Sequence, residues 1–201
     1  MSEVSRETLL TEFFSERATK ILRYAEILAT WGIERGLIGP KEADRIWERH
    51  IANCIPVTTL IPQNASVIDI GSGAGLPGIV IALARPDLAV TLLEPLNRRF
   101  DFLNEVVAQL ELPITVIQGR AQTVSGRYQV VTARAVAPLP KLLPLIWHLV
   151  APGGTLLAIK GENAAAEVAE SDLKKVAATQ IHEILLTSLP ISRVIELRKG
   201  G

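Results

Sequence analysis

The residues best suited to chemistry in this sequence surround one glycine-rich stretch at 67–78, VIDIGSGAGLPG. Gly73, Gly75 and Gly78 give G-x-G-x-x-G, the fingerprint of dinucleotide-binding loops. Counted from Asp69, the same stretch gives D-x-G-x-G-x-G, a turn typical of S-adenosylmethionine sites. Both motifs use glycine because the turn is tight and the ligand approaches the backbone closely. The loop predicts an adenosine-containing ligand and leaves both cofactors open.

Two carboxylates, Asp69 and Glu94, stand at the ends of the first two predicted strands, beside this loop. Asp69 would repel the pyrophosphate of NAD but would suit the ammonium or sulfonium of S-adenosylmethionine. Glu94 can accept hydrogen bonds from the ribose hydroxyls of either ligand. Taken singly, Asp69 could be a turn or cap residue and Glu94 a surface carboxylate. Together they favour an adenosine site, and Asp69 favours S-adenosylmethionine.

The elements that position these residues alternate as strand, loop and helix from residue 66 onwards. Such alternation predicts a parallel sheet covered by helices on both faces. The predicted strands lie at 66–70, 89–94, 113–117, 128–133 and 154–160, and the predicted helices at 77–85, 97–110, 138–150 and 163–178.

The last part of the chain holds two further strand-like runs, 181–189 and 192–198, joined by little more than Pro190 and Ile191. A connection this short cannot make a parallel crossover, so it predicts an antiparallel hairpin. Methyltransferase sheets have such an antiparallel last strand and ordinary dinucleotide folds lack it. The hairpin therefore favours S-adenosylmethionine over NAD.

Residues 1–62 form a helical extension in this interpretation, with no separate chemical site. Apolar residues recur there at the three- and four-residue steps of amphipathic helices. The stripe consists of Leu10, Phe13, Phe14, Ile21, Tyr24, Ala25, Leu28 and Trp31. We expect the extension to pack on a Rossmann-like domain, residues 63–201, as one compact unit.

The composition excludes several classes of protein. With 201 residues, 48% of them apolar, the chain can bury a full core, yet no apolar run approaches the roughly 18 to 20 residues that span a bilayer. The single cysteine, Cys54, cannot form an internal disulfide, and the first residues lack a signal-peptide pattern. We expect a cytoplasmic monomer that binds neither metal nor membrane.

The charged residues sum to zero, 21 basic and 21 acidic, but their distribution is uneven. Residues 112–160 contain no Asp or Glu. They contain five bases: Arg120, Arg127, Arg134, Lys141 and Lys160. This segment predicts a face for an anionic partner; the alternative is that the bases lie on scattered, solvated loops.

Taken together, these motifs resemble the RsmG family of bacterial 16S rRNA guanine-N7 methyltransferases, also called glucose-inhibited division protein B. The resemblance covers residues 47–167. The segments that carry it are ERHI (48–51), DIGSGAGLPG (69–78), TLLEPLNRRFDFL (91–103), QGRAQ (118–122), VVTARAVAPL (130–139) and APGGTLLAIKG (151–161). TARAVA beside GSGAGLPG is the most specific part.

The resemblance implies a class I methyltransferase: a Rossmann-like, mostly parallel seven-stranded sheet with an antiparallel carboxyl-terminal strand. It implies S-adenosylmethionine as the cofactor and 16S rRNA, or a precursor of the small ribosomal subunit, as the partner. With the two carboxylates and Gly73 above, the expected cofactor site comprises Asp69, Gly71, Gly73, Leu76, Glu94, Pro95, Leu96, Ala121, Gln122 and Arg134. Gln122 replaces a usual Glu and Leu76 a common Phe.

The expected reaction needs little from the protein, because guanine N7 already presents a lone pair and loses no proton on methylation. TARAVAPL occupies the place where amine methyltransferases carry an Asn or Asp followed by Pro-Pro and an aromatic residue. Arg134 is the candidate for positioning the guanine or the cofactor, since its planar fork suits either. Arg120, Lys141 and Lys160 are candidates for binding RNA, although Lys160 could equally be a solvated strand-end charge.

Three other functions remain open at this level. A small-molecule methyltransferase would share the cofactor site, and the basic segment argues against it. An NAD-dependent oxidoreductase would explain the glycines alone. A noncatalytic adenosine-binding module would lack a catalytic residue, but N7 methylation requires none either.

Overall fold

A computed structural model describes residues 3–186, 189 and 191–201 of the chain. Its centre is a seven-stranded sheet in the order β3-β2-β1-β4-β5-β7-β6. The strands are β1 (Ser66–Ile70), β2 (Ala89–Glu94), β3 (Thr115–Gln118), β4 (Tyr128–Arg134), β5 (Val150–Lys160), β6 (Ala178–Ile184) and β7 (Ser192–Arg198). β1 to β5 are parallel, and β7 runs antiparallel to both β5 and β6. This confirms the predicted sheet and its antiparallel last strand.

Two apolar clusters fill the space on the two faces of this sheet. The helices are α1 (Glu3–Leu9), α2 (Ala18–Ile27), α3 (Gly78–Ala84), α4 (Asn97–Gln109), α5 (Leu139–Ile146) and α6 (Ala164–Ala169). One cluster packs α2, α3 and α4 against the sheet, and the other packs α5 with the segment after α6. Both faces are covered, as a parallel sheet requires.

The amino-terminal segment continues as short π- and 3-10-helical turns between residues 10 and 60. These turns are Leu10–Phe14, Ser15–Arg17, Leu28–Gly32, Pro40–Arg45, Ile46–Ile51, Ala52–Cys54 and Pro56–Leu60. Phe14, Ile21, Tyr24 and Leu28 of the predicted stripe are buried in the same cluster as α3. The amphipathic pattern therefore covers one face of the sheet.

The predicted helix at 163–178 is wrong over most of its length, because α6 ends at Ala169. Asp172 favours a turn after the helix, because its Oδ1 accepts a local hydrogen bond from Lys174 N. Short polar side chains compete with the helix in this way. The predicted hairpin turn is also too short, since residues 185–191 connect β6 to β7. Pro190 lies outside the described residues.

The order of the strands places a switch point between β1 and β4. β2 and β3 lie on one side of β1, and β4 and β5 lie on the other. Near the carboxyl ends of these two strands, Asp69 pairs with Thr132 and Ile70 pairs with Ala133. Open α/β sheets bind ligands at such a point, so the fold directs attention to this edge.

Candidate active site

The glycine loop joins β1 to α3 and depends on backbone conformations that favour glycine. Gly71, Gly73 and Gly75 have φ values of 64°, 59° and 98°. Gly71 N donates to Leu93 O at 2.8 Å, which fixes the loop to the end of β2. A Cβ on Gly71 would lie 3.1 Å from Val136, so the loop after β4 packs directly on the glycine loop.

Glu94 is the last residue of β2, and its side chain binds the glycine loop. Its side chain is buried, and its two oxygens accept hydrogen bonds from backbone amides: Oε2 from Gly73 N at 2.9 Å and Oε1 from Leu96 N at 3.0 Å. Each carboxylate oxygen has a second lone pair. Glu94 can therefore organise the loop and still accept hydroxyl groups of a ligand.

Asp69 has a different environment from the one expected of it. Its side chain is completely buried, and Oδ2 accepts the amide of Gly78 at 3.0 Å, at the start of α3. The loop's own backbone covers this carboxylate, and its interaction with the ammonium or sulfonium of a ligand stays a prediction. Asp69 ties the end of the loop to β1.

Burial also changes the protonation of Asp69. Burial raises the pKa of the carboxyl to about 7, although the Gly78 amide and the charge of Arg134 act in the opposite direction. Asp69 Oδ1 and the hydroxyl of Thr132 are buried without a hydrogen-bond partner among the described residues. The two residues are paired across β1 and β4.

An open cavity of about 710 Å³ lies beside the glycine loop, at the carboxyl ends of β4 and β5. Its lining includes the segment that follows β4, the last residues of β5 and Asn53 from the amino-terminal turns. Arg134, Lys160 and Glu167 supply its charged groups. Ala135, with φ 56°, directs the chain from β4 along the cavity wall.

Arg134 ends β4 and points toward the amino-terminal turns. Nη1 lies 3.5 Å from the carbonyl oxygens of Arg49 and His50, and Nη2 lies 3.4 Å from His50 Nδ1. These contacts are at the long limit of hydrogen bonds and leave the guanidinium weakly held. Arg134 lines the cavity as predicted, and it also connects β4 to the ERHI segment, which the sequence did not predict.

Lys160 is paired within the protein, and its contact with an RNA phosphate stays a prediction. Its ammonium donates to Ala137 O at 2.7 Å and lies 2.8 Å from Glu167 Oε2. Burial alone would raise the pKa of Glu167, but Lys160 and the Leu139 amide hold it below its ordinary value. The ion pair anchors the loop after β4 to α6.

The other residues expected at the cofactor lie around the mouth of the loop. Pro95 and Leu96 are exposed, and Leu96 keeps 54% of its surface accessible. Ala121 and Gln122 form a short 3-10 turn after β3, with Gln122 exposed. Leu76 is 7% exposed and packs in the core, and its contact with the cofactor stays a prediction.

The five bases of the acid-free segment do not form one face. Arg127 precedes the first residue of β4 and Arg134 is its last, which separates them by about 20 Å along the strand. Arg120 and Lys141 are exposed, whereas Lys160 is occupied by Glu167. Only Arg134 and Lys160 reach the cavity by the glycine loop.

The amino-terminal turns contribute residues that the sequence interpretation missed. Tyr24 is fully buried, and its hydroxyl donates to Ala74 O of the glycine loop at 2.8 Å. The apolar stripe identified Tyr24 as a core residue but gave no signal for its hydroxyl. His50, within ERHI, contacts Arg134 on one side and Glu42 on the other. The charged residues of ERHI, which follow the apolar stripe in the sequence, were the signal available for His50.

Among the described residues, no group of three or more His, Cys, Asp or Glu side chains is arranged to hold a metal ion. In the same part of the chain, no helix has the length and apolar character needed to cross a membrane.

Solved structures of other proteins share this fold. A methyltransferase from Pyrococcus furiosus matches with a TM-score of 0.60 at 18% identity, covering 94% of this chain and all of that one. A predicted O-methyltransferase from Agrobacterium tumefaciens, Atu636, matches with a TM-score of 0.57 at 16% identity, covering 75% and 79% of the two chains. The fold is that of the class I methyltransferases.

Sequence comparison defines the family within that class. The family model for rRNA small subunit methyltransferase G matches residues 17–192. Ribosomal RNA small subunit methyltransferase G of Acidothermus cellulolyticus is 58% identical over 160 residues, 79% of this chain and 72% of that protein. The Streptomyces avermitilis protein of the same name is 47% identical over 198 residues, 94% and 83% of the two chains. The chain belongs to the rRNA small subunit methyltransferase G family.

Proposed function

We propose that this protein transfers a methyl group from S-adenosylmethionine to N7 of a guanine in the RNA of the small ribosomal subunit. The observation that carries the proposal is the contact between Val136 and Gly71, which joins two features into one site. The glycine loop and Glu94, which would hold the cofactor, lie on one side of this contact. The cavity lined by Arg134 lies on the other side, with room for a base.

The residues on the cofactor side of this contact fit S-adenosylmethionine. The left-handed glycines bring backbone amides to the carboxyl end of β1, and Glu94 offers free lone pairs for ribose hydroxyls. Leu96 follows β2, and Ala121 and Gln122 follow the neighbouring β3, at the edge where an adenine ring would bind. When bound, the cofactor supplies an electrophilic methyl group on a sulfonium. Asp69 contributes by holding the loop, through Gly78.

The protein's own residues then have to orient the guanine and exclude water. Arg134 is the positioning residue, because its planar guanidinium borders the cavity and is only weakly held by its protein contacts. Its positive charge would not stabilise the charge that develops on the guanine, so its role is orientation. The Lys160 and Glu167 pair keeps the cavity wall in place without adding net charge.

Cys54 argues against methylation of a pyrimidine carbon, which uses a cysteine nucleophile. Its side chain is completely buried, and burial raises the pKa of the thiol to about 11. A protonated, inaccessible thiol is a poor nucleophile. N7 methylation avoids this requirement, and it needs no general base.

The remaining features of the proposal concern the whole protein. We propose a monomer that acts in the cytoplasm, with residues 1–62 and 63–201 working as one compact unit, since both contribute to the candidate site. An NAD-dependent oxidoreductase explains neither the antiparallel β7 nor the family membership. A small-molecule methyltransferase would share the cofactor site, but relatives across the family carry names that specify ribosomal RNA.

The test is methyl transfer to defined RNA. Purified protein is incubated with tritiated S-adenosylmethionine and either naked 16S rRNA or small subunits from cells that lack the gene. Nuclease digestion and mass spectrometry then identify the modified base. We expect one N7-methylguanine; label on another base, or none on either substrate, would contradict the proposal.

A further inference from the structure

A second cleft, of about 680 Å³, lies at the opposite edge of the sheet from the candidate active site. Its floor is apolar and comes from one side of α5 and the turn after it: Pro140, Leu143, Pro144 and Trp147. These positions follow the helical spacing i, i+3, i+4 and i+7, so they share a face. Trp147 remains partly exposed in this floor.

The rim of this cleft is strongly basic. Arg127, Lys174, Lys175 and Lys199 line it, against a single acid, Asp172. None of these four bases forms an ion pair within the part of the chain that the structure describes. In a chain whose formal charge is zero, this is a local concentration of unpaired positive charge.

Lys199 shows that these charges act on one another. Its ammonium lies 5.5 Å from the centre of the Trp147 ring and donates to the carbonyl oxygens of Trp147 and Val150, at 3.0 and 2.8 Å. Burial, followed by the charges of Arg127 and Lys175, lowers the pKa of Lys199. Like charges gathered around a partly exposed aromatic ring favour an anionic ligand with a flat group.

We propose that this cleft, defined by Arg127, Trp147, Lys174, Lys175 and Lys199, binds a single-stranded segment of the RNA substrate. A base lies against Trp147 and the flanking phosphates lie near Arg127, Lys174 and Lys175. The inference rests on the proposed function, because it takes the RNA to be the one that is methylated. It assigns this RNA a second contact about 20 Å from the active-site edge, a distance set by the length of β4.

An acidic peptide would satisfy the charges but not the aromatic floor. RNA supplies both, since each nucleotide presents a base and a phosphate. The spacing between the two edges also suits a folded RNA, which can place one strand in the cavity and another segment in the cleft. A bound RNA therefore explains both the basic rim and the aromatic floor of the cleft, whereas an acidic peptide explains only the basic rim.

The first experiment measures binding of a fluorescein-labelled 12-nucleotide single-stranded RNA by anisotropy. The test variant is Lys174→Ala/Lys175→Ala, in which both residues are exposed. The control, Lys20→Ala/Arg23→Ala, removes the same charge from α2 on the other face of the sheet. We expect about tenfold weaker binding and a salt slope reduced by about 1.4 in the test variant alone, at about 0.7 per phosphate.

The second experiment locates the RNA. The same 12-mer carrying 4-thiouridine is cross-linked to the wild-type protein, and the attached peptide is identified by mass spectrometry. A cross-link on residues 140–148 supports the cleft. Cross-links confined to the cavity by Arg134, equal weakening by both double variants, or equal competition by polyglutamate would each overturn it.

Methyl transfer and S-adenosylhomocysteine binding, measured on the same samples, separate this inference from the proposed function. Active wild-type protein whose RNA affinity is unaffected by Lys174→Ala/Lys175→Ala refutes the cleft alone. Wild-type protein that binds RNA through the cleft but methylates no rRNA refutes the proposed function alone. Cofactor affinity should be the same in all variants.

Discussion

The guanidinium of Arg134 lies against the imidazole of His50, with Nη2 3.4 Å from Nδ1. On the far side of the ring, Nε2 lies 3.2 Å from Glu42 Oε2. Arginine can only donate, so Nδ1 must accept, and a neutral imidazole with its proton on Nε2 satisfies both contacts. Arg134 is therefore held through an uncharged histidine.

This arrangement predicts how His50 titrates. Burial, followed by the charge of Arg134, lowers the pKa of His50, while Glu42 opposes this. The contribution of His50 to stability is therefore lost as the pH falls below about 6.5, where the unfolded chain binds the proton more readily. We expect Arg134→Ala to raise the pKa of His50, measured by NMR titration. An unchanged pKa would mean that the charge of Arg134 does not act on His50.

Substitution of Arg134 tests whether this residue orients the reacting partners or stabilises the fold. If it orients the reacting partners, Arg134→Ala should retain the fold and reduce methyl transfer about 100-fold or more. Arg134→Lys should restore little, because a point charge does not replace a planar fork. A structural role would instead lower the melting temperature and leave the activity per folded molecule unchanged. A stable, fully active Arg134→Ala would contradict both roles.

The sheet was predictable because its signals are local. β1 and β2 begin and end where the sequence placed them, since each is a continuous apolar run with a carboxylate near or at its end. α6 was predicted too long because alanines and lysines at 163–178 favour a helix, whereas the local hydrogen bond from Lys174 N to Asp172 Oδ1 opposes it. Such competition depends on packing that composition does not record.

Within the candidate site, residue types were easier to predict than their partners. Glu94 and Arg134 lie at the predicted edge because strand ends determine their positions. The ion pair of Lys160 was not predicted, because its partner, Glu167, comes from α6 and the turn before that helix brings the two residues together. The contact of Tyr24 with Ala74 was not predicted either, because it joins segments that are far apart in the chain.

Glu94 should determine cofactor affinity. Its carboxylate holds Gly73 and Leu96 and remains able to accept ribose hydroxyls. We expect Glu94→Ala to cost about 1.5 to 3 kcal/mol of binding free energy, or about 10- to 100-fold. Glu94→Gln should also weaken binding, because its side-chain NH2 group would face one of the two backbone N–H donors. Calorimetry with S-adenosylhomocysteine measures both. Tight binding of NAD without a response to S-adenosylhomocysteine would reject the cofactor assignment.

Lys160 should matter for stability rather than for RNA affinity. Removing its ammonium in Lys160→Met leaves the carboxylate of Glu167 without its ion pair, at a cost of about 3 kcal/mol in the free energy of unfolding. Lys141→Met, at an exposed position on α5, is the control and should change stability by less than about 0.5 kcal/mol. Urea unfolding measures this. A stable Lys160→Met with a reduced salt slope for RNA would support the phosphate role.

The last prediction concerns the proton on Asp69. Because burial raises its pKa to about 7, the folded protein retains a proton that the unfolded chain loses near pH 4. The folded state binds more protons over this range, so the contribution of Asp69 to stability decreases as the pH rises toward 7. In Asp69→Asn, the side-chain amide would keep an acceptor for the Gly78 N–H and could donate to Thr132, without titrating.

We therefore expect the wild-type protein to lose on the order of 2 to 3 kcal/mol of stability relative to Asp69→Asn between pH 5 and pH 8. Asp87→Asn is the matched control: hydrogen bonding to Arg85 lowers the pKa of Asp87 to about 2, so this change should add no pH dependence in the same range. Urea unfolding at several pH values gives the comparison. Parallel curves for the wild type and Asp69→Asn would show that the Asp69 carboxyl is already ionised at pH 5 and stays ionised up to pH 8.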